Sequence, residues 1–285
     1  MIHAQPRVTV VIPAYNEGEH IVPVIDRLLE AVTLPCEVLV VVDFPEDTTI
    51  EAIKVFADSE QPTVHAVVND FGRGPAQAIR YGIHHAQAPV VVVTMADGCD
   101  DPRQIDELTR LVERGVVVAA ASRYMPGGQQ VGGPAVKRML SRNAGRTLHW
   151  FARVGTRDAT NSFKAYNREF VEQVGIESRD GFEIGLELTA KAHRMRLPVA
   201  EIPTIWLDRP AGTSNFKVAR WLPKYLRWYR FAYGPRLDLA QLRAMSPDGA
   251  DEGAADGQPR HSPQPTLSSQ NLQIPQTPQT PHNSE

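Results

Sequence analysis

The stretch Val8–Asp43, VTVVIPAYNEGEHIVPVIDRLLEAVTLPCEVLVVVD, decides how the rest of the chain is read. It opens on Val8–Ile12 and closes on Glu37–Val42, two short β-branched runs that are apolar on both faces, as parallel central strands require. Between them, His20–Ala31 sets Ile21, Val24, Ile25, Leu28 and Leu29 at helical spacing. The alternation continues outward. Val64–Val68, Val90–Thr94 and Val116–Ala121 read as further strands, and Thr48–Asp58, Pro75–His85 and Gln104–Glu113 as helices. Strands alternating with helices of this length predict an α/β fold built on a doubly wound, mainly parallel sheet. Ligands of such sheets bind beyond the carboxyl ends of the strands, so the residues just after each strand are the ones to inspect.

From about Met125 the rhythm changes. Gly127, Gly128, Gly132 and Gly133 read as a flexible loop, Val136–Val154 as a helix carrying several arginines, Glu169–Val174 and Ile184–Met195 as helices, and Val199–Leu207 as a strand. No Pro/Ser-rich linker interrupts this half, so it belongs to the same domain. Val218–Tyr233, VARWLPKYLRWYRFAY, interleaves Trp221, Tyr225, Trp228, Tyr229 and Phe231 with Arg220, Lys224, Arg227 and Arg230, a pattern suited to the membrane headgroup boundary or to a packed helix with snorkelling arginines. From Met245 to Glu285 there are seven prolines and no Phe, Trp or Tyr, a composition that predicts disorder. The expected division is a catalytic domain over 1–217, an amphipathic, membrane-surface helix over 218–244 and a disordered tail over 245–285.

The bulk numbers exclude several classes. A net charge of -3 over 285 residues offers no basic excess for phosphate neutralisation, so nucleic acid is not an expected partner. Two cysteines, Cys36 and Cys99, are too few for a disulfide framework. Met1–Arg7 lacks a charged-then-apolar leader pattern, and no run approaches the roughly 18 apolar residues of a membrane span. A cytoplasmic, non-spanning protein is expected.

Acidic residues stand at successive strand ends: Asn16 and Glu17 after the first strand, Asp43 after the second and Asp97 after the fourth. Such carboxylates serve ribose hydroxyls, base N–H groups or a divalent cation, or else cap the following helix, as Asp47 and Asp97 to Asp101 are placed to do. No G-x-G-x-x-G follows the first strand and no G-x-x-x-x-G-K-[ST] occurs, which weighs against dinucleotide-dependent redox chemistry and P-loop hydrolysis. Gly72–Gly74 follows the third strand and opens a helix, with Arg73 between the glycines available to a phosphate. His84, His85, His149 and His193 lack metal-cluster spacing and read as surface or packing residues.

Taken together, Val10–Ile21 (VVIPAYNEGEHI), Val40–Thr49, Asn69–Ala86 and Thr94–Pro102 (TMADGCDDP) resemble the family-2 glycosyltransferases of the GT-A fold. Ala121–Gly128 (ASRYMPGG), Arg157–Tyr166 (RDATNSFKAY) and Glu201–Lys217 (EIPTIWLDRPAGTSNFK) resemble the subgroup of dolichyl/polyprenyl-phosphate sugar synthases. The resemblance spans about Val8 to Lys217. It implies one domain with a nucleotide-binding half and an acceptor half. Its function would be inverting transfer of a hexose, mannose before glucose, from a nucleotide sugar (GDP-mannose or UDP-glucose) to a polyprenyl or dolichyl phosphate. Pro13, Tyr15 and Glu17 would border the nucleobase, Asp43 would contact base or ribose, and Arg73 would help hold the donor. Asp97 matches the last Asp of the family's D-x-D motif, which binds Mg²⁺ or Mn²⁺ against the donor diphosphate.

The chain departs from the family at two places: Met95 stands where the first Asp of D-x-D belongs, and Phe44 where the second-strand motif has its second Asp. Asp100 and Asp101 are the carboxylates available to assist Asp97. On the acceptor side the resemblance implies that Arg123, Lys137, Arg138 and Arg142, with Ser214 and Lys217, meet a lipid-linked phosphate, and that Arg209, Ser214 and Lys217 belong to a loop closing over the donor. A phosphate acceptor is already anionic and needs little base assistance, and Asp158 would then orient groups or contact the acceptor; a hydroxyl acceptor would need a carboxylate, for which Asp158 is the candidate. Two other functions stay open: a family-2 transferase with a hydroxyl acceptor, and a sugar-nucleotide-binding protein without turnover. The lipid acceptor places the protein at the inner face of the membrane as a peripheral protein.

Overall fold

The computed structural model describes residues 5–57, 63–208 and 218–245. In chain order the elements are β1 (Val8–Pro13), α1 (Val22–Ala31), β2 (Cys36–Val42), α2 (Thr48–Ala52), β3 (Thr63–Val68), α3 (Pro75–His85), β4 (Val90–Val93) and α4 (Ile105–Glu113). There follow β5 (Val118–Ser122), β6 (Gln129–Val131), α5 (Ala135–Thr147), β7 (Lys164–Asn167), α6 (Arg168–Val174), α7 (Ile184–Arg194), β8 (Val199–Pro203), β9 (Ile205–Leu207), α8 (Val218–Phe231) and α9 (Leu239–Ala244). All described residues lie in one compact unit, Met1–Ala250.

Seven strands form one sheet in the order β3-β2-β1-β4-β7-β5-β8. β1 pairs in parallel with β2 and β4, while β7 is antiparallel to both its neighbours, β4 and β5. The residues of β1, β2, β4 and β5 are buried throughout, which is why their sequences carry no polar alternation. One apolar layer packs α1 and α4 against one face, through Ile25, Leu28, Ile105 and Leu108. A second packs α3, α6 and α7 against the other, through Ile79, Ile83, Phe170 and Leu188.

The structure corrects three expectations. The run Val199–Leu207 is two strands, because the chain turns at Pro203-Thr204: β8 continues the main sheet beside β5, and β9 pairs with β6 in a separate two-stranded ribbon. β6 itself lies inside the glycine-rich stretch expected to be an irregular loop. The strand β7 escaped the sequence reading because its residues, Lys-Ala-Tyr-Asn, carry a charged group into the interior. Lys164 is fully buried and its Nζ donates to the carbonyls of Ala159 and Asn161. That burial pulls its ammonium down to about 7.

The helix expected over Val136–Val154 ends as α at Thr147 and continues as a π-helical turn, Leu148–Ala152, closed by Arg153 in the left-handed region. Its inner face is set by Gly145, where a Cβ would lie 1.9 Å from the carbonyl oxygen of Arg157. Gly145→Ala should therefore destabilise the protein by about 1–3 kcal/mol, although alanine is the better helix former by about 1 kcal/mol. A lowered midpoint in thermal or urea unfolding checks this; a raised one would mean that α5 does not dock at this carbonyl.

Candidate active site

The carboxyl ends of β1, β2 and β4 carry loops that are tied to one another. After β1, Tyr15 is exposed and Asn16 adopts φ +51°, a conformation that Asn tolerates better than most residues. The Asn16 and Glu17 amides donate to the Asp47 carboxylate (2.9 Å) and the Thr49 hydroxyl (3.0 Å) of the loop after β2. Asp47 also caps α2 through the Thr49 amide. Pro13 is buried at the end of β1.

Asp43 is satisfied within the protein. One oxygen accepts from the Asn69 side chain (3.1 Å) and the other from the Gly74 amide (2.8 Å), so it organises the 69–74 loop that opens α3. Gly72 and Gly74 hold φ near +110° there. Phe44 packs edge-on to Tyr15, with ring centroids 5.7 Å apart, and the Arg73 guanidinium stands 5.9 Å over the Phe44 ring. An aromatic pair topped by an arginine thus occupies the place where the family carries a carboxylate.

At the end of β4, the turn Thr94–Cys99 presents Asp97, half-buried, with one oxygen accepting from the Cys99 amide at 3.0 Å. Gly98 at φ +67° makes that turn possible. Asp100 is buried, accepts from the Thr94 hydroxyl at 2.9 Å, and has its carboxyl pushed up to about 7 by burial and then by Asp97. Asp101 is taken up by capping Arg103 and pairing with its guanidinium at 2.7 Å. Among the described residues no three His, Cys, Asp or Glu side chains converge as a ready-made cage. One hard carboxylate oxygen next to a second acidic group fits a Mg²⁺ or Mn²⁺ whose remaining ligands come from a diphosphate and water.

The acceptor half is organised by one ion pair. The Arg123 guanidinium grips Asp158 through Nε (2.7 Å) and one terminal nitrogen (2.9 Å), and the Arg123 amide adds a third bond at 3.0 Å. Asp158 is fully buried and Arg123 nearly so. Burial alone would lower the guanidinium, but the charge and hydrogen bonds of Asp158 outweigh it and hold Arg123 firmly protonated. Asp100 also feels Arg123, which places this pair beside the Asp97 turn. A buried carboxylate held at two oxygens by one arginine is poorly placed as a general base, so the expected base role of Asp158 does not fit the geometry. Arg123 is likewise engaged rather than free for a phosphate.

Arg138 and Arg142 are exposed on α5, and Arg138 reaches the Gly132 carbonyl at 3.5 Å. Arg209, Ser214 and Lys217 lie outside the described residues. One feature that sequence reasoning missed is the Asp208 clasp: its carboxylate accepts from the Gly133 amide at 2.9 Å, tying the end of β9 to the loop before α5.

The glycosyl transferase family 2 model matches residues 9–175. The polyprenol monophosphomannose synthase of Mycolicibacterium smegmatis is 30% identical over 230 residues, covering 75% of this chain and 86% of that protein. The undecaprenyl-phosphate mannosyltransferase of Micrococcus luteus is 27% identical over 215 residues, covering 73% and 87%. In three dimensions, the mannosyltransferase PcManGT from Pyrobaculum calidifontis, solved in complex with GDP-Man and Mn²⁺, superposes with a TM-score of 0.54 at 19% identity, covering 86% of this chain and 72% of that one. At that identity the likeness establishes the fold.

Proposed function

The chain belongs to glycosyl transferase family 2 and is a glycosyltransferase; from this premise we propose that it transfers mannose from GDP-mannose to a polyprenyl phosphate with inversion. The observation that carries this reading is its 30% identity to a polyprenol monophosphomannose synthase over 86% of that protein's length.

Each part of the site has work under this reading. The Tyr15–Phe44 pair offers an apolar shelf to the nucleobase, and Arg73 reaches the phosphates above it. Asp43 acts mainly through the loop it braces, by holding the Gly74 amide, while Glu17 is fixed beside the donor by its amide on the Thr49 hydroxyl. Asp97 would hold Mg²⁺ or Mn²⁺, which when bound neutralises charge on the departing nucleoside diphosphate. The acceptor phosphate is anionic at neutral pH, so no carboxylate base is required and Asp158 is free to serve as the anchor of Arg123. Lys137, Arg138 and Arg142 on α5 supply cations for that phosphate, and Arg209, Ser214 and Lys217 are assigned to the donor-closing loop on the resemblance alone. Competition between GDP-mannose and UDP-glucose, measured as initial rates on a short-chain polyprenyl phosphate in detergent, tests the donor. Preference for UDP-glucose, or transfer only to free sugar hydroxyls, would overturn it.

We also propose that the protein works as a peripheral protein at the inner membrane face, through α5 rather than α8. No helix of the described residues is long and apolar enough to cross a membrane. The segment α8 is spent on packing: Trp228 is 2% exposed and donates to the Ser178 hydroxyl, Lys224 pairs with Asp180 and Arg227 with Glu177. By contrast, Val136, Met139 and Leu140 are exposed, and Trp150 and Phe151 continue the same apolar stripe at 60% and 74% exposure. Lys137, Arg138, Arg142 and Arg146 flank the stripe, and α5 contains no acidic residue. Exposed aromatics amid basic side chains suit an anionic lipid surface. The double variant Trp150→Ser/Phe151→Ser should lower co-sedimentation with phosphatidylglycerol vesicles about tenfold or more, given the apolar area removed. Unchanged binding would contradict the assignment of this face.

A further inference from the structure

The opposite edge of the sheet holds a second, cationic site. Arg153 and Gly155 follow the π-helical turn, His193 and Arg196 end α7, and Leu197 and Val199 lead into β8; together they line an open pocket of about 250 Å³. Val199 stands at the amino end of β8, which runs parallel to β5, so the pocket lies at the edge away from the Asp97 turn. Arg153 and Arg196 are exposed and His193 is half-buried. None of the three forms an ion pair among the described residues. Each arginine follows a helix and closes it: the Val154 amide donates to the Leu148 carbonyl at 3.1 Å and the Leu197 amide to the Ala192 carbonyl at 3.0 Å. Arg153 at φ +60° and Arg196 at φ +59° are two of the three non-glycine residues with positive φ among the described residues; the third, Asn16, lies in the donor loop. Burial, then Arg196 and Arg194, hold the His193 imidazole below its usual range, as expected where cations converge without a counter-charge. Arg194 itself turns away, donating to the Pro235 carbonyl at 2.8 Å.

We propose that this pocket binds a phosphate-bearing anion, supplied by the headgroup of an anionic phospholipid. The phosphate chemistry follows from two guanidiniums and an imidazole with no acidic group among the pocket's lining. The lipid source follows from position: Phe151 and Trp150 immediately precede Arg153, so a headgroup in the pocket would lie beside the apolar stripe. Only this assignment of source rests on the membrane-facing reading of α5; the anion site does not.

The test uses the full chain and the variant Arg153→Asn/Arg196→Asn. Asparagine is chosen because it adopts the left-handed backbone with little strain, and circular dichroism and the thermal midpoint confirm the fold. Binding is measured to phosphatidylcholine vesicles with and without phosphatidylglycerol, and separately to inorganic phosphate by calorimetry. The expected result is a loss of about tenfold in affinity for the phosphatidylglycerol vesicles. Binding to phosphatidylcholine alone and transfer to a detergent-solubilised acceptor should be unchanged. If the variant loses inorganic phosphate binding but keeps its vesicle affinity, the lipid source is overturned and the pocket serves a soluble phosphate. If neither binding changes, the site itself is overturned. Failure of the α5 reading is recognised separately, as wild-type protein that ignores vesicles of both compositions.

Discussion

Alanine at position 97 lowers kcat/KM for sugar transfer by on the order of 10³-fold and leaves the thermal midpoint almost unmoved. The two halves of that result have different causes. Asp97 is half-buried in the turn after β4, and its hydrogen bond with the Cys99 amide two residues on is local, a contact whose loss costs on the order of 1 kcal/mol. The chemistry is affected far more, because no neighbour replaces it. Met95 offers no oxygen, Asp101 is held by Arg103, and Asp100 is buried and bonded to Thr94. Steady-state rates across a Mn²⁺ titration, for wild type and Asp97→Ala, measure the effect. A variant that recovers full rate at higher Mn²⁺ would mean that Asp97 only tunes metal affinity, and equal rates at every concentration would remove it from the mechanism.

Arg123→Ala is expected to cost about 3–5 kcal/mol of stability, a large part of the roughly 5–15 kcal/mol that holds a typical domain together. It leaves the Asp158 carboxylate fully buried with its bidentate partner gone. Asp158→Asn keeps an oxygen that can accept from Arg123 but leaves the nearly buried guanidinium without its counter-charge, so it should destabilise the protein as well. The double variant Arg123→Met/Asp158→Asn should recover much of the stability without recovering activity, since the loop after β5 loses its anchor. Arg123→Lys would rescue poorly, because a point charge does not reproduce two parallel bonds and the third to Ser141 at 3.3 Å. Urea unfolding of wild type, Arg123→Ala, Asp158→Asn and the double variant Arg123→Ala/Asp158→Asn closes the cycle. Additive losses for Arg123→Ala and Asp158→Asn would show that the pair is not coupled.

The strands β1, β2, β4 and β5 were legible because each is buried on both faces and therefore writes an unbroken apolar run. β7 was not, because the sequence shows Lys164 as a charge and conceals the carbonyls of Ala159 and Asn161 that make its burial tolerable. At the site, Asp97 and Asp43 were both readable as acids at strand ends, but their difference in role was not. The Asn69 and Gly74 groups that occupy Asp43 come from some 30 residues downstream, and no local pattern announces them. Arg123 and Asp158 were each picked out separately, as a phosphate ligand and a base; 35 residues apart, they prove to be partners. Likewise, α5 and α8 both read as helices carrying several basic residues. What separates them is Glu177 and Ser178, which receive Arg227 and Trp228 of α8 from 50 residues away. Periodicity reports that a helix has an apolar face, not what covers it.

Transfer of mannose to a lipid phosphate is tested most directly by the partition of label. Wild-type protein is incubated with GDP-mannose labelled in the sugar, undecaprenyl phosphate and Mn²⁺, and the mixture is extracted with organic solvent. The predicted result is label in the lipid phase, abolished by chelator and carried by a β-linked mannosyl phosphate. Label confined to the aqueous phase while GDP-mannose is consumed would contradict it.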